Sequence, residues 1–176
     1  MMAFGHLPGS GGGGFLTGFL HPIVGIDHLI AMVAVGLWGA FLGERALWIS
    51  PIVFPSIMAA GAVIGISGFE IPLVESVIAL SGLTLGTFIM CRFRAPLMIA
   101  VILIGSFAIF HGYAHGVEMP NQVSAITYGA GFVVGTGLLH WAGIVVGFAA
   151  KFPRGELIVR GCGGVVSSVG LTYIVR

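Results

Sequence analysis

The sequence predicts an all-α, polytopic transmembrane helix bundle, and three observations carry that prediction. Charged residues make up only 7% of the 176-residue chain and hydrophobic residues 57%, whereas ordinary soluble domains are roughly 25% charged. The uncharged runs Ala46–Phe69, Ala95–Val117 and Met119–Ala150 match or exceed the roughly 20 apolar residues that a helix needs to cross a bilayer. These runs are continuously apolar rather than alternating with period two, which argues against a β-barrel. The same composition excludes most soluble enzymes and nucleic-acid binders. The 30 glycines show neither a collagen period nor the polarity of a disordered linker.

Residues 1–14 read as a flexible, glycine-rich outer tail, and residues 15–176 as a single transmembrane domain. Six spans are expected within it: Pro22–Leu42, Leu47–Gly68, Ile71–Cys91, Pro96–Val117, Ser124–Ala149 and Leu157–Val175. The short apolar stretch Phe15–Leu20 is the place for a seventh, partial or re-entrant segment. Pro51 and Pro55 stand where they would kink the second span, while Pro72 and Pro96 suit first turns. GxxxG pairs such as Gly61–Gly65, Gly82–Gly86 and Gly112–Gly116 are about as common as the glycine content alone gives. They argue only for a tightly packed bundle.

Basic residues set the expected orientation. Arg45 falls in the first connection, Arg92 and Arg94 in the third, and Lys151, Arg154 and Arg160 at the fifth. The second and fourth connections carry acids instead, Glu70 with Glu75 nearby and then Glu118. Arg176 is the exception. The basic side should be cytoplasmic, with both termini outside. Met1–Gly5 holds no signal-peptide pattern, so the expectation is a longer precursor, trimmed or re-started at this methionine. Cys91 and Cys162 lack CxxC spacing and read as apolar thiols.

Ionisable groups inside a membrane are expensive and mark function by default. Two clusters hold four of the six histidines: His21-Pro22-Ile23-Val24-Gly25-Ile26-Asp27-His28, and Phe110-His111-Gly112-Tyr113-Ala114-His115-Gly116-Val117-Glu118. At about 100° per residue, His111, His115 and Glu118 share one helical stripe. His21 and His28 also share a face on an ideal helix, with Asp27 pointing elsewhere. Spans one and four run in opposite directions, so at about 1.5 Å per residue both clusters fall at one depth, in the outer half of the membrane. For a single histidine, a hydrogen bond to a helix carbonyl is the ordinary explanation. Four at matched depth with two carboxylates suit a divalent transition metal such as nickel, cobalt, zinc or copper, rather than calcium or magnesium.

These two motifs resemble the hallmarks of the HupE/UreJ family of nickel and cobalt permeases. The family pattern is a histidine, five residues and Asp-His, then Phe-His-Gly-x-Ala-His-Gly-x-Glu. Both stand here without departure, as His21…Asp27-His28 and Phe110–Glu118, and Leu29–Trp38 also looks like the family. The resemblance implies a bacterial inner-membrane importer with nickel, or cobalt, as transported substrate and no prosthetic group. It also implies delivery to hydrogenase or urease maturation proteins. The residues carried over as metal ligands are His21, Asp27, His28, His111, His115 and Glu118.

Four further residues are open to two readings. Met32 offers a soft ligand or packs the core, and His140 is a second station or an ordinary buried histidine. His6 captures metal or is a solvated tail residue, and Glu75 attracts cations or is a solvated edge carboxylate. The chain contains no Walker A motif, so facilitated diffusion or secondary transport is expected. The alternative is an intramembrane zinc hydrolase built on the same side chains, although no HExxH specifies it. A haem protein is disfavoured, because the chain has no CxxCH and its histidines come with carboxylates.

Overall fold

Seven α-helices and one 3-10 turn make up the computed structural model, which describes residues 13–175. The helices are α1 (Gly13–Val24), α2 (Ile26–Leu42), α3 (Glu44–Ile66), α4 (Val74–Met90), α5 (Leu97–Val117), α6 (Ala125–Phe148) and α7 (Gly155–Ile174). No strand occurs among the described residues. His6, Arg176 and most of the expected tail lie outside them. Helices α3, α5 and α7, and α6 continued to Lys151, are long and apolar enough to cross a bilayer, and α1 with α2 makes a fifth span if the bent pair counts as one. Helix α4 has only 17 residues, about 26 Å at 1.5 Å per residue, a little short of the roughly 30 Å hydrocarbon core.

The first span departs most from expectation. Instead of one helix from Pro22 to Leu42, the chain forms two, bent by 82° at Gly25. Helix α1 begins at Gly13, so Phe15–Leu20 belongs to a helix of its own and Pro22 sits inside that helix. Proline removes one intrahelical hydrogen bond and crowds the preceding turn. Glycine three residues later is a poor helix former, and Gly25 takes an extended conformation, φ −76° and ψ 110°. Similarly, α4 starts at Val74 rather than Ile71, because Leu73 adopts a left-handed φ of 61° after Pro72. Pro72 therefore precedes the helix instead of opening it. Pro51 and Pro55 both lie within α3.

Glycines dictate the packing, and here the GxxxG pairs do more than composition required of them. A Cβ on Gly61 would lie 2.2 Å from the Ile109 carbonyl oxygen, one on Gly112 1.9 Å from that of Met58, and one on Gly116 2.2 Å from that of Ala62. Contacts climb together along both helices, so α3 and α5 run parallel. Gly36 against His140, and Gly147 against Leu37 and Ala40, make α2 parallel to α6. Gly86 against Ser167 and Gly170 against Leu83 make α4 antiparallel to α7. This is the set of directions that alternating spans require.

Basic residues gather at one end. Arg92 pairs with Glu156, the Arg94 guanidinium lies 5.0 Å from the centre of the Phe41 ring, and Arg160 Nε donates to the Met90 carbonyl at 3.0 Å. Glu118 lies at the opposite end of α5, about 30 Å away by helical rise.

Candidate metal centre

Three helices deliver the expected ligands to one place. Helix α1 ends just after His21, the bend at Gly25 turns the chain, and α2 presents Asp27 and His28 in its first turn. A Cβ on Gly25 would lie 3.2 Å from the His28 ring and 3.3 Å from Asp27 Oδ1, so the bend and both side chains are closely fitted. Helix α5 supplies His111 and His115, and Glu118 caps its C-terminus with its N–H donating to the Ala114 carbonyl at 2.9 Å.

His115 is the centre of the cluster. Its ring centre lies 4.9 Å from that of His21 and 4.2 Å from that of His28, and His28 lies 5.4 Å from His111. Potential ligand atoms of His21, His115 and Glu118 all fall within 4.8 Å of one another. His21 Nε2 is 3.0 Å from Glu118 Oε2, and Asp27 Oδ2 is 3.7 Å from His28 Nε2. His21 and His28 thus each reach His115 from opposite sides of a bend, not along one helical face as expected. The stripe of His111, His115 and Glu118 is as expected.

The hydrogen-bond inventory is informative. His111 Nδ1 donates to the Phe107 carbonyl at 2.9 Å, which fixes the ring and leaves Nε2 without a partner. A neutral imidazole so held offers its other nitrogen as a metal ligand. His28 Nδ1 and both nitrogens of His115 are also buried without partners. Glu118 differs, being half exposed. The hydrogen bond from His21 holds its carboxyl below the ordinary value of 4.5, against an opposing effect of desolvation.

Helix α6 closes the cluster with residues that the sequence did not single out. Phe132 lies 4.3 Å from His115 and Tyr128 5.8 Å from His21, centre to centre. From α3, Phe54 contacts His111 at 5.6 Å and His140 at 5.3 Å. An apolar cleft of about 260 Å³ between α3, α5 and α6 reaches His115. The only available sequence signal was the spacing of four residues through Tyr128, Phe132, Thr136 and His140.

The remaining candidates are dispersed. Met32 is fully buried in the apolar core with Phe54 and Met58. Glu75 is exposed in the first turn of α4, within electrostatic reach of Asp27 and Glu118. His140 is fully buried on α6.

The family described as HupE / UreJ protein matches residues 1–173 of the chain. The chain belongs to the HupE/UreJ family. A curated relative, Protein HupE of Rhizobium leguminosarum bv. viciae, is 41% identical over 162 residues, covering 92% of this chain and 85% of the relative. No solved structure matches the chain. Both HupE/UreJ motifs supply side chains to the cluster around His115.

Proposed function

We propose that the chain is a membrane permease importing a divalent transition-metal ion, nickel first and cobalt second. Membership of a nickel and cobalt transporter family supports a metal permease. The observation that carries the site is the buried His115 imidazole, both nitrogens without partners, set among His21, His28 and Glu118. Nitrogen and oxygen ligands of this kind suit the later divalent transition metals. Asp27 and Glu118 together match the charge of a 2+ ion, which lowers the cost of holding it in a low dielectric.

In this reading the basic end of the bundle faces the cytoplasm, both termini lie outside, and the membrane is the bacterial inner membrane. Glu75 and Glu118 draw the cation to the outer end. His21, His115 and Glu118 replace part of its water, with His28, His111 and Asp27 completing the site deeper. An inside-negative potential favours a divalent cation by about 4.6 kcal/mol per 100 mV, twice the roughly 2.3 for one charge. Facilitated diffusion therefore suffices for accumulation. Hydrogenase or urease maturation proteins are the proposed recipients inside.

Purified protein in proteoliposomes, given an inside-negative potential, should accumulate nickel, and competition with cobalt, zinc and copper ranks selectivity. Absence of flux for every one of these ions sinks the reading. Zinc-dependent cleavage of a lipid or peptide without flux would favour a hydrolase on the same ligands.

A further inference from the structure

His140 lies outside the cluster just described, and its environment differs from that of an ordinary helical histidine. His111 gives its Nδ1–H to the carbonyl four residues earlier. His140, equally helical and fully buried, has no partner for either ring nitrogen. Thr136, one turn earlier on the same face of α6, is also fully buried, with its hydroxyl unpartnered. On the other side, the Phe54 ring touches both His140 and His111. Phe132, level with His115, is eight residues before His140, so His140 lies about 12 Å further along α6. That direction leads toward the end of the bundle where the basic residues gather.

We propose that His140 and Thr136 form a second, inner station for the divalent cation, reached after the cluster around His115. The inference rests on the transport reading above. One imidazole nitrogen and one hydroxyl oxygen leave most of the coordination sphere to water, so this station holds the ion more loosely than the outer one. A loose inner stop after a tight outer site suits conduction, which requires binding weak enough for release. Both side chains lie on α6, whose Tyr128 and Phe132 already line the outer site. A single helix therefore connects the two.

The test uses the full chain in proteoliposomes, with radioactive nickel flux and equilibrium nickel binding measured on the same preparations of wild type, His140→Phe and Thr136→Val. In His140→Phe, flux should fall roughly 10- to 100-fold, the range seen when groups supporting a metal site are removed, with outer-site affinity unchanged. Thr136→Val, which leaves the volume nearly constant, should show a smaller loss of the same kind. It decides the matter if the phenylalanine disturbs folding. Wild-type flux in both variants overturns the inner station and leaves the outer site standing. Loss of nickel affinity along with flux also overturns it, because His140 would then be acting on the outer site. A wild type without flux for nickel or cobalt overturns the transport reading and this inference with it.

Discussion

The α4–α7 pair and the region where α1, α2, α5 and α6 meet solve the same problem in opposite ways. In α4–α7 the backbones touch through Gly86, Gly163 and Gly170, and Ser81, Thr87 and Ser167 are paired. The Thr87 and Ser167 hydroxyls lie 3.0 Å apart, Thr87 donates to the Leu83 carbonyl at 2.7 Å, and Ser81 donates to the Ile78 carbonyl at 2.7 Å. In the other region, buried nitrogens and oxygens of His28, His111, His115, Tyr128, Thr136 and His140 lack partners. Each such group costs about 1–3 kcal/mol. One region pairs its polar groups, while the other leaves them open, which on the transport reading keeps ligand atoms for the cation.

The largest effect should come from removing a central ligand. His115→Ala should reduce nickel uptake beyond the roughly 100-fold upper range for supporting groups, while the protein remains folded in the membrane. Uptake near wild type would place the cation elsewhere. On the opposite side of the comparison, Gly86→Val sets a Cβ 2.3 Å from the Ser167 backbone nitrogen. Thermal denaturation in detergent should show a loss of about 1–3 kcal/mol from overpacking, with nickel affinity of the folded protein unaltered.

Acid tests the outer region in another way. The hydrogen bond from His21 lowers the carboxyl value of Glu118, so its stabilisation is fully present above the ordinary carboxylate value. It is lost only as pH falls through the depressed one. Both the carboxylate and the ligating imidazoles must be deprotonated to bind the cation, so uptake should fall as the pH is lowered through the carboxylate range. A pH–uptake profile that stays flat through that range would contradict the proposed ligand set. Thr87→Val should cost about 0.5–1.5 kcal/mol, the net value of a typical hydrogen bond, without changing uptake. Smallest of all, Tyr128→Phe removes an unpaired hydroxyl, and its melting temperature should match or slightly exceed that of wild type.

Legibility in the sequence followed the regularity of the backbone. His111, His115 and Glu118 could be placed because α5 runs unbroken beneath them and helical arithmetic holds. His21 and His28 were identified by type and motif, but their geometry was not legible, because Gly25 ends one helix and starts another at 82°. The late start of α4 was hidden for the same reason, in the left-handed Leu73. Phe54 and Phe132 had no local signal, being two of 13 phenylalanines in apolar spans. Their importance comes only from which histidine each one touches.

The central claim is that side chains from α1, α2 and α5 hold one divalent ion together. X-ray absorption at the nickel edge, on the purified nickel-loaded protein, tests it most directly. Two or more imidazoles plus carboxylate oxygen should coordinate the metal in wild type, and His115→Ala should lose both the imidazole signature and high-affinity binding. Nickel with a water-only shell, or with an unchanged spectrum in His115→Ala, would contradict the account.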